Sequence, residues 1–112
     1  MKVIKISDVP EQVVESDNFI GGAVTRQPLV TEDMGQSFNM SIVNFSPGAR
    51  NKFHTHSSDL ILLVTAGKGI VASETEEHVV GMGEIIHIKA GENHWHGATK
   101  DSAFSHITLT AR

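Results

Sequence analysis

Glycines at ten positions (Gly21, Gly22, Gly35, Gly48, Gly67, Gly69, Gly81, Gly83, Gly91 and Gly97) cut the chain into short runs rich in β-branched residues. That is the punctuation of hairpins, with turn residues between strands of a few residues each. The runs predicted as strands are 23–25, 38–45, 51–56, 60–66, 69–73, 78–80, 85–88, 94–96 and 103–110. Only 9–14 and 31–34 have room for a helical turn. The expectation is an all-β barrel or sandwich in one domain spanning 1–112, with 1–20 as an N-terminal arm and about 21–112 as the barrel.

Charge and composition narrow the partner. The nine Lys and Arg residues are scattered and the formal charge is -4, so neither nucleic acid nor an anionic membrane surface is suggested; a small molecule fits better. No apolar run approaches a membrane span, and Met1 to Lys5 lacks the apolar region and cleavage site of a signal peptide, which makes the cytoplasm the expected location. There are no cysteines, so any metal must be held by nitrogen and oxygen.

Two histidine pairs stand out, His54-Thr55-His56 and His94-Trp95-His96. In an extended strand, alternate side chains share a face, with about 6.6 Å of rise between them. Two such pairs on neighbouring strands can aim several imidazole nitrogens at one point, and neutral imidazole is a common ligand of divalent transition metals.

The frames around these pairs resemble a known family. Gly48-Ala-Arg-Asn-Lys-Phe-His54-Thr-His56, followed by Gly67, is similar to the first motif of the cupins, and Gly83-Glu-Ile-Ile-His-Ile-Lys-Ala-Gly91-Glu-Asn-His94 to the second. The wording Pro47-Gly48-Ala49-Arg50, Leu62-Leu63-Val64-Thr65-Ala66-Gly67 and His94-Trp95-His96-Gly97-Ala98 resembles the small single-domain cupins that include bacterial manganese hydroxynitrile lyases. The resemblance implies a double-stranded β-helix (jelly-roll) barrel. It also implies His54, His56 and His94 as ligands of a divalent transition metal, Mn, Fe, Ni, Co or Zn, with Mn favoured. The fourth ligand of the family, Glu or Gln, falls at Leu60. By strand parity Leu60 points into the site and Asp59 away from it.

The other histidines divide by context. His96 is read either as an active-site acid or base or as a hydrogen-bonded core residue. His106 belongs to the pocket if the face carrying Phe104, His106, Thr108 and Thr110 lines the barrel mouth, and to the surface otherwise. His87 is expected to be buried and hydrogen-bonded, His78 solvated, and Trp95 packed behind the ligand strand; Arg50 and Lys52 are expected at a solvated strand end. The run from Phe38 to Phe45 is apolar on both faces, which suggests a homodimer.

Three functions are compatible with these residues. One is a metal-dependent enzyme acting on a hydroxyl or carbonyl oxygen, hydroxynitrile-lyase-like by resemblance, with His96 moving the proton. Another is an oxygen-using enzyme built on three-histidine iron. The last is a non-catalytic module whose cavity binds a small ligand.

Overall fold

The computed structural model describes residues 1–112. Its strands are β1 (Gln12–Val13), β2 (Phe19–Ile20), β3 (Val24–Val30), β4 (Phe38–Phe45), β5 (Arg50–Asn51), β6 (Leu60–Ser73), β7 (Glu77–Gly81), β8 (Ile85–Ile88), β9 (His94–Ala98) and β10 (Phe104–Ala111). They follow the antiparallel order β1-β3-β4-β10-β6-β9-β5-β2, with β7 and β8 also paired to β6.

The curl comes from β6, a strand of 14 residues. Its first half pairs with β8 and β10, and its second half pairs with β7 and β9. One strand therefore belongs to both walls, and the chain closes on itself as an all-β barrel of the jelly-roll kind.

Parity decides what faces inward. On β4, Ser41, Val43 and Phe45 point to the interior, and their partners on β10 are Thr108, His106 and Phe104. Phe45 stacks on Phe104 with ring centroids 6.0 Å apart, and Leu60, Leu62 and Val64 of β6 complete the floor of the core. The alternate residues Phe38, Met40, Ile61, Leu63, Ile107 and Leu109 lie on the outer face of the same sheet.

Several expectations need correction. The runs 60–66 and 69–73 form one strand, because Gly67 and Gly69 mark close approach rather than a turn. A Cβ on Gly67 (φ +72°) would run into the Ala103 carbonyl, and one on Gly69 would lie about 2.5 Å from the Phe104 ring. The run 9–14 does not make a helical turn: a 3-10 turn covers Ile6–Asp8, and β1 pairs with β3, Val14 N–H donating to the Val24 carbonyl at 2.9 Å. Since β2 also pairs with β5, the N-terminal segment is woven into both edges. The 3-10 turn at Glu32–Met34 is where a helical turn was expected.

His87 is the other correction. It is exposed, not buried, because Ile86 and Ile88 take the inward positions of β8, opposite Leu62 and Leu60. Its Nε2–H donates to Asp59 Oδ2 at 2.9 Å.

Candidate metal centre

β5 stops at Asn51, and the chain then breaks regular pairing before His54 re-enters through an isolated bridge to His94. The expected strand 51–56 is therefore interrupted at Lys52 and Phe53. The break lets Asn51 and His54, which differ in parity, both reach the interior. Gly91 N–H donates to the His56 carbonyl at 2.9 Å, tying His56 to the loop before β9.

These contacts bring His54, His56 and His94 together, each offering a nitrogen within 4.8 Å of the others. His54 Nδ1–H donates to the Lys52 carbonyl at 2.7 Å, and His94 Nδ1–H donates to the Glu92 carbonyl at 2.8 Å. A carbonyl can only accept, so in each neutral ring Nε2 is left with its lone pair. His94 Nε2 is buried without any hydrogen-bond partner. A sealed, unpaired nitrogen is costly unless something binds it.

Burial holds the His94 imidazole below its ordinary pKa, an effect partly offset by the bond to Glu92. Burial, with the neighbouring His54 and His94, does the same for His56. Both rings are thus kept in the neutral form that ligation requires. Three convergent imidazoles, one with an orphaned nitrogen, fit a divalent transition-metal ion.

Leu60, 1% exposed, lines the same cavity as His54 and His56. Asp59 is turned away, accepting from His87 and from the Ala90 N–H at 3.0 Å. Neither residue supplies a fourth ligand.

Beside the three histidines lies a second polar row, buried at Asn51, His96 and His106 and reaching the cavity at Thr108. His96 Nε2 is 3.1 Å from Asn51 Nδ2, His96 Nδ1 is 3.1 Å from His106 Nε2, and His106 Nδ1 is 3.1 Å from Thr108 Oγ1. Phe45 walls this row off from the core, its ring edge-on to His96 at 5.8 Å and tilted to His106 at 5.7 Å. Burial lowers the His106 pKa to about 4 and pushes that of His96 well down, so both rings are neutral at physiological pH. Asn51 was not identified from the sequence, because unbroken strand parity puts it on the face opposite His54 and His56; only the break at Lys52 and Phe53 brings it inside.

The cavity has a volume of about 730 Å³ and opens at the barrel mouth. His54, His56 and His96 meet it on one side, Ser41, Thr108 and Thr110 on another, and Arg26 is its only lysine or arginine. His106 is fully buried behind Thr108 rather than on the surface. Arg50 departs from its expected solvated position: its guanidinium lies 3.8 Å from the Trp95 ring centroid, outside the site. His78 is solvated, as expected.

Comparison with known proteins agrees with this geometry. Residues 41–109 match the model of the cupin domain. The chain is 40% identical over 73 residues to (R)-mandelonitrile lyase of Granulicella tundricola, an alignment covering 62% of this chain; the chain spans about half, 54%, of the length of that relative. It is also similar to a cupin-like protein from Thermotoga maritima, with a TM-score of 0.81 and 30% identity, over 98% of this chain and 80% of the other. The polyketide cyclase RemF from Streptomyces resistomycificus shares the fold, with a TM-score of 0.88 at 21% identity, over 99% of this chain and 79% of its own. The match covers both histidine frames and the strands that carry them, and the chain belongs to the cupin domain family.

Proposed function

We propose that this cupin is a metal-dependent enzyme in which His54, His56 and His94 hold one divalent transition-metal ion, manganese by resemblance, beside a cavity for a small hydroxyl- or carbonyl-bearing substrate. The observation that carries this reading is the buried, partnerless Nε2 of His94, aligned with two further imidazoles within 4.8 Å. When bound, the ion supplies Lewis acidity toward a hydroxyl or carbonyl oxygen.

The chain's own residues do the rest. Leu60 and Val43 present apolar surface to the substrate, the hydroxyls of Ser41, Thr108 and Thr110 orient it, and His96 completes the polar wall with His106 buried behind it. Similarity to a mandelonitrile lyase supports lyase chemistry: the C–CN bond of a cyanohydrin breaks, the hydroxyl proton leaves with cyanide as HCN, and an aldehyde remains. The test is element-resolved metal content together with mandelonitrile cleavage. Stoichiometric metal and turnover in the wild type, both lost in a His54→Ala/His56→Ala variant, are expected.

Leu60 in the fourth ligand's place favours a second reading, an oxygen-using iron enzyme, because three protein ligands leave more of the ion open. Iron as the resident element and oxygen uptake on substrate addition would select it. We also propose that the chain pairs with a second copy through the outer face bearing Met40, Ile61, Leu63, Ile107 and Leu109. On that face Ile61 is 38% exposed and Phe38, at its edge, 56% exposed, apolar surface that a second copy would cover.

A further inference from the structure

We infer that Thr108 presents its hydroxyl hydrogen to the cavity, aimed by a one-way hydrogen-bond chain from Asn51 through His96 and His106, and that the ligand of this site brings an acceptor to meet it. The statement about the ligand rests on the function proposed above; the direction of the chain does not.

The direction follows from one fixed amide. The backbone N–H of His96 donates to Asn51 Oδ1 at 2.8 Å, which settles which end of the amide is oxygen. Reversing the amide would set the Asn51 NH₂ against that N–H, donor against donor. Asn51 Nδ2 therefore points at His96 Nε2, 3.1 Å away, and can only donate to it.

Each later link is then forced. His96 Nε2 accepts, so in the neutral ring the proton sits on Nδ1, which donates to His106 Nε2. His106 Nε2 accepts, so its proton sits on Nδ1, which donates to Thr108 Oγ1. Burial keeps both rings uncharged, with His96 6% exposed and His106 not exposed at all.

At the end of the chain, Thr108 Oγ1 receives a bond and keeps its own hydrogen to give. It bonds no other protein group, and Thr108 lines the cavity beside Ser41, its partner on β4. The chain cannot run backwards, because a proton on His96 Nε2 would face the Asn51 NH₂. His96 and His106 are therefore positioning residues: with both nitrogens of each ring engaged, they fix which way the Thr108 hydroxyl points. A ligand with a carbonyl, carboxylate, alkoxide or nitrile acceptor can take that hydrogen, whereas a ligand that can only donate leaves it unused and finds one free lone pair on Oγ1. Such a preorganised donor is worth most where charge develops on an oxygen during reaction.

Two measurements test this. Long-range ¹H–¹⁵N correlation spectra of histidine-labelled protein, metal-free and zinc-loaded, should show His96 and His106 both protonated at Nδ1 and bare at Nε2. A proton on Nε2 of either ring overturns the chain. Benzoate, an acceptor that has no proton to give at neutral pH, is then titrated into zinc-loaded wild type, Thr108→Val and Thr108→Ser, with zinc measured in each. The loss of one neutral hydrogen bond should weaken binding roughly five-fold in Thr108→Val, while Thr108→Ser stays within about two-fold of wild type. Equal affinity in wild type and Thr108→Val, or no benzoate binding by wild type, overturns the donor role. If wild type holds no zinc, the proposed function fails, and the spectra of the metal-free protein still decide the direction of the chain.

Discussion

His54 and His94 exchange both of their backbone hydrogen bonds, 2.9 Å in one direction and 3.0 Å in the other. The two residues are far apart in sequence, yet the spacing of their rings is set by main-chain pairing rather than by side-chain freedom. Preorganisation of this kind leaves little ordering to be done when a ligand arrives.

Because backbone holds the pair, removing the rings should leave the barrel standing. In a His54→Ala/His56→Ala variant, circular dichroism is expected to match wild type while bound metal falls to less than about a tenth of the wild-type content. Retained metal in that variant would move the site elsewhere.

Leu60→Gln puts an acceptor on the inward face of β6 beside His54 and His56. It is expected to tighten metal binding roughly ten-fold in chelator competition. It should also cost about 1–3 kcal/mol of folding stability, since Leu60 is almost wholly buried. Unchanged affinity would mean that another group already completes the coordination.

Acid should unfold this protein by a route the buried imidazoles set. The pKa of His106 is about 4 in the folded chain against an ordinary value of 6.5. Between those values the unfolded chain binds the proton and the native chain does not, so stability rises with pH. The contribution, on the order of 3 kcal/mol, is complete above pH 6.5 and is lost as pH falls toward 4. Thermal melts of metal-free protein across that range check it; in His106→Gln the slope should flatten. A slope equal to wild type in that variant would refute the assignment.

Asn51→Asp, once ionised, offers only acceptors to His96, so above the carboxyl's pKa Nε2 of that ring must carry a proton. The ¹⁵N shift of His96 Nε2 is expected to move to the protonated range, whether the ring becomes the other neutral tautomer or a cation. An unprotonated Nε2 in the variant would show that Asn51 does not govern the ring.

Ile61→Asp places a charge on the outer sheet face without touching the cavity. Sedimentation should show wild type as a dimer and the variant shifted toward monomer, with metal content unchanged. A monomeric wild type at micromolar concentration would remove the proposed pairing.

Much of this was readable from residue order. β4 and β8 coincide with the runs predicted for them, because short runs rich in apolar and β-branched residues lie there between turn residues. Leu60 and Asp59 fall on the faces that parity gives them. What escaped depended on neighbours remote in sequence. Gly67 and Gly69 look like hairpin residues until Ala103 and Phe104 are seen pressing against them. Asn51 looks like a surface amide until His96 arrives from β9 to take both ends of it. His87 had an apolar setting, but its inward–outward phase was set by β6 across the ladder.

β10 lies between β4 and β6, paired along its length with both, and it carries Phe104 as well as His106 and Thr108. Phe104 belongs to the core and Thr108 to the cavity. A chain deprived of this strand would lose the oriented hydroxyl and, with it, the packing that holds the barrel around His54, His56 and His94. Selectivity and folding are thus written on the same strand, and neither can be removed without the other.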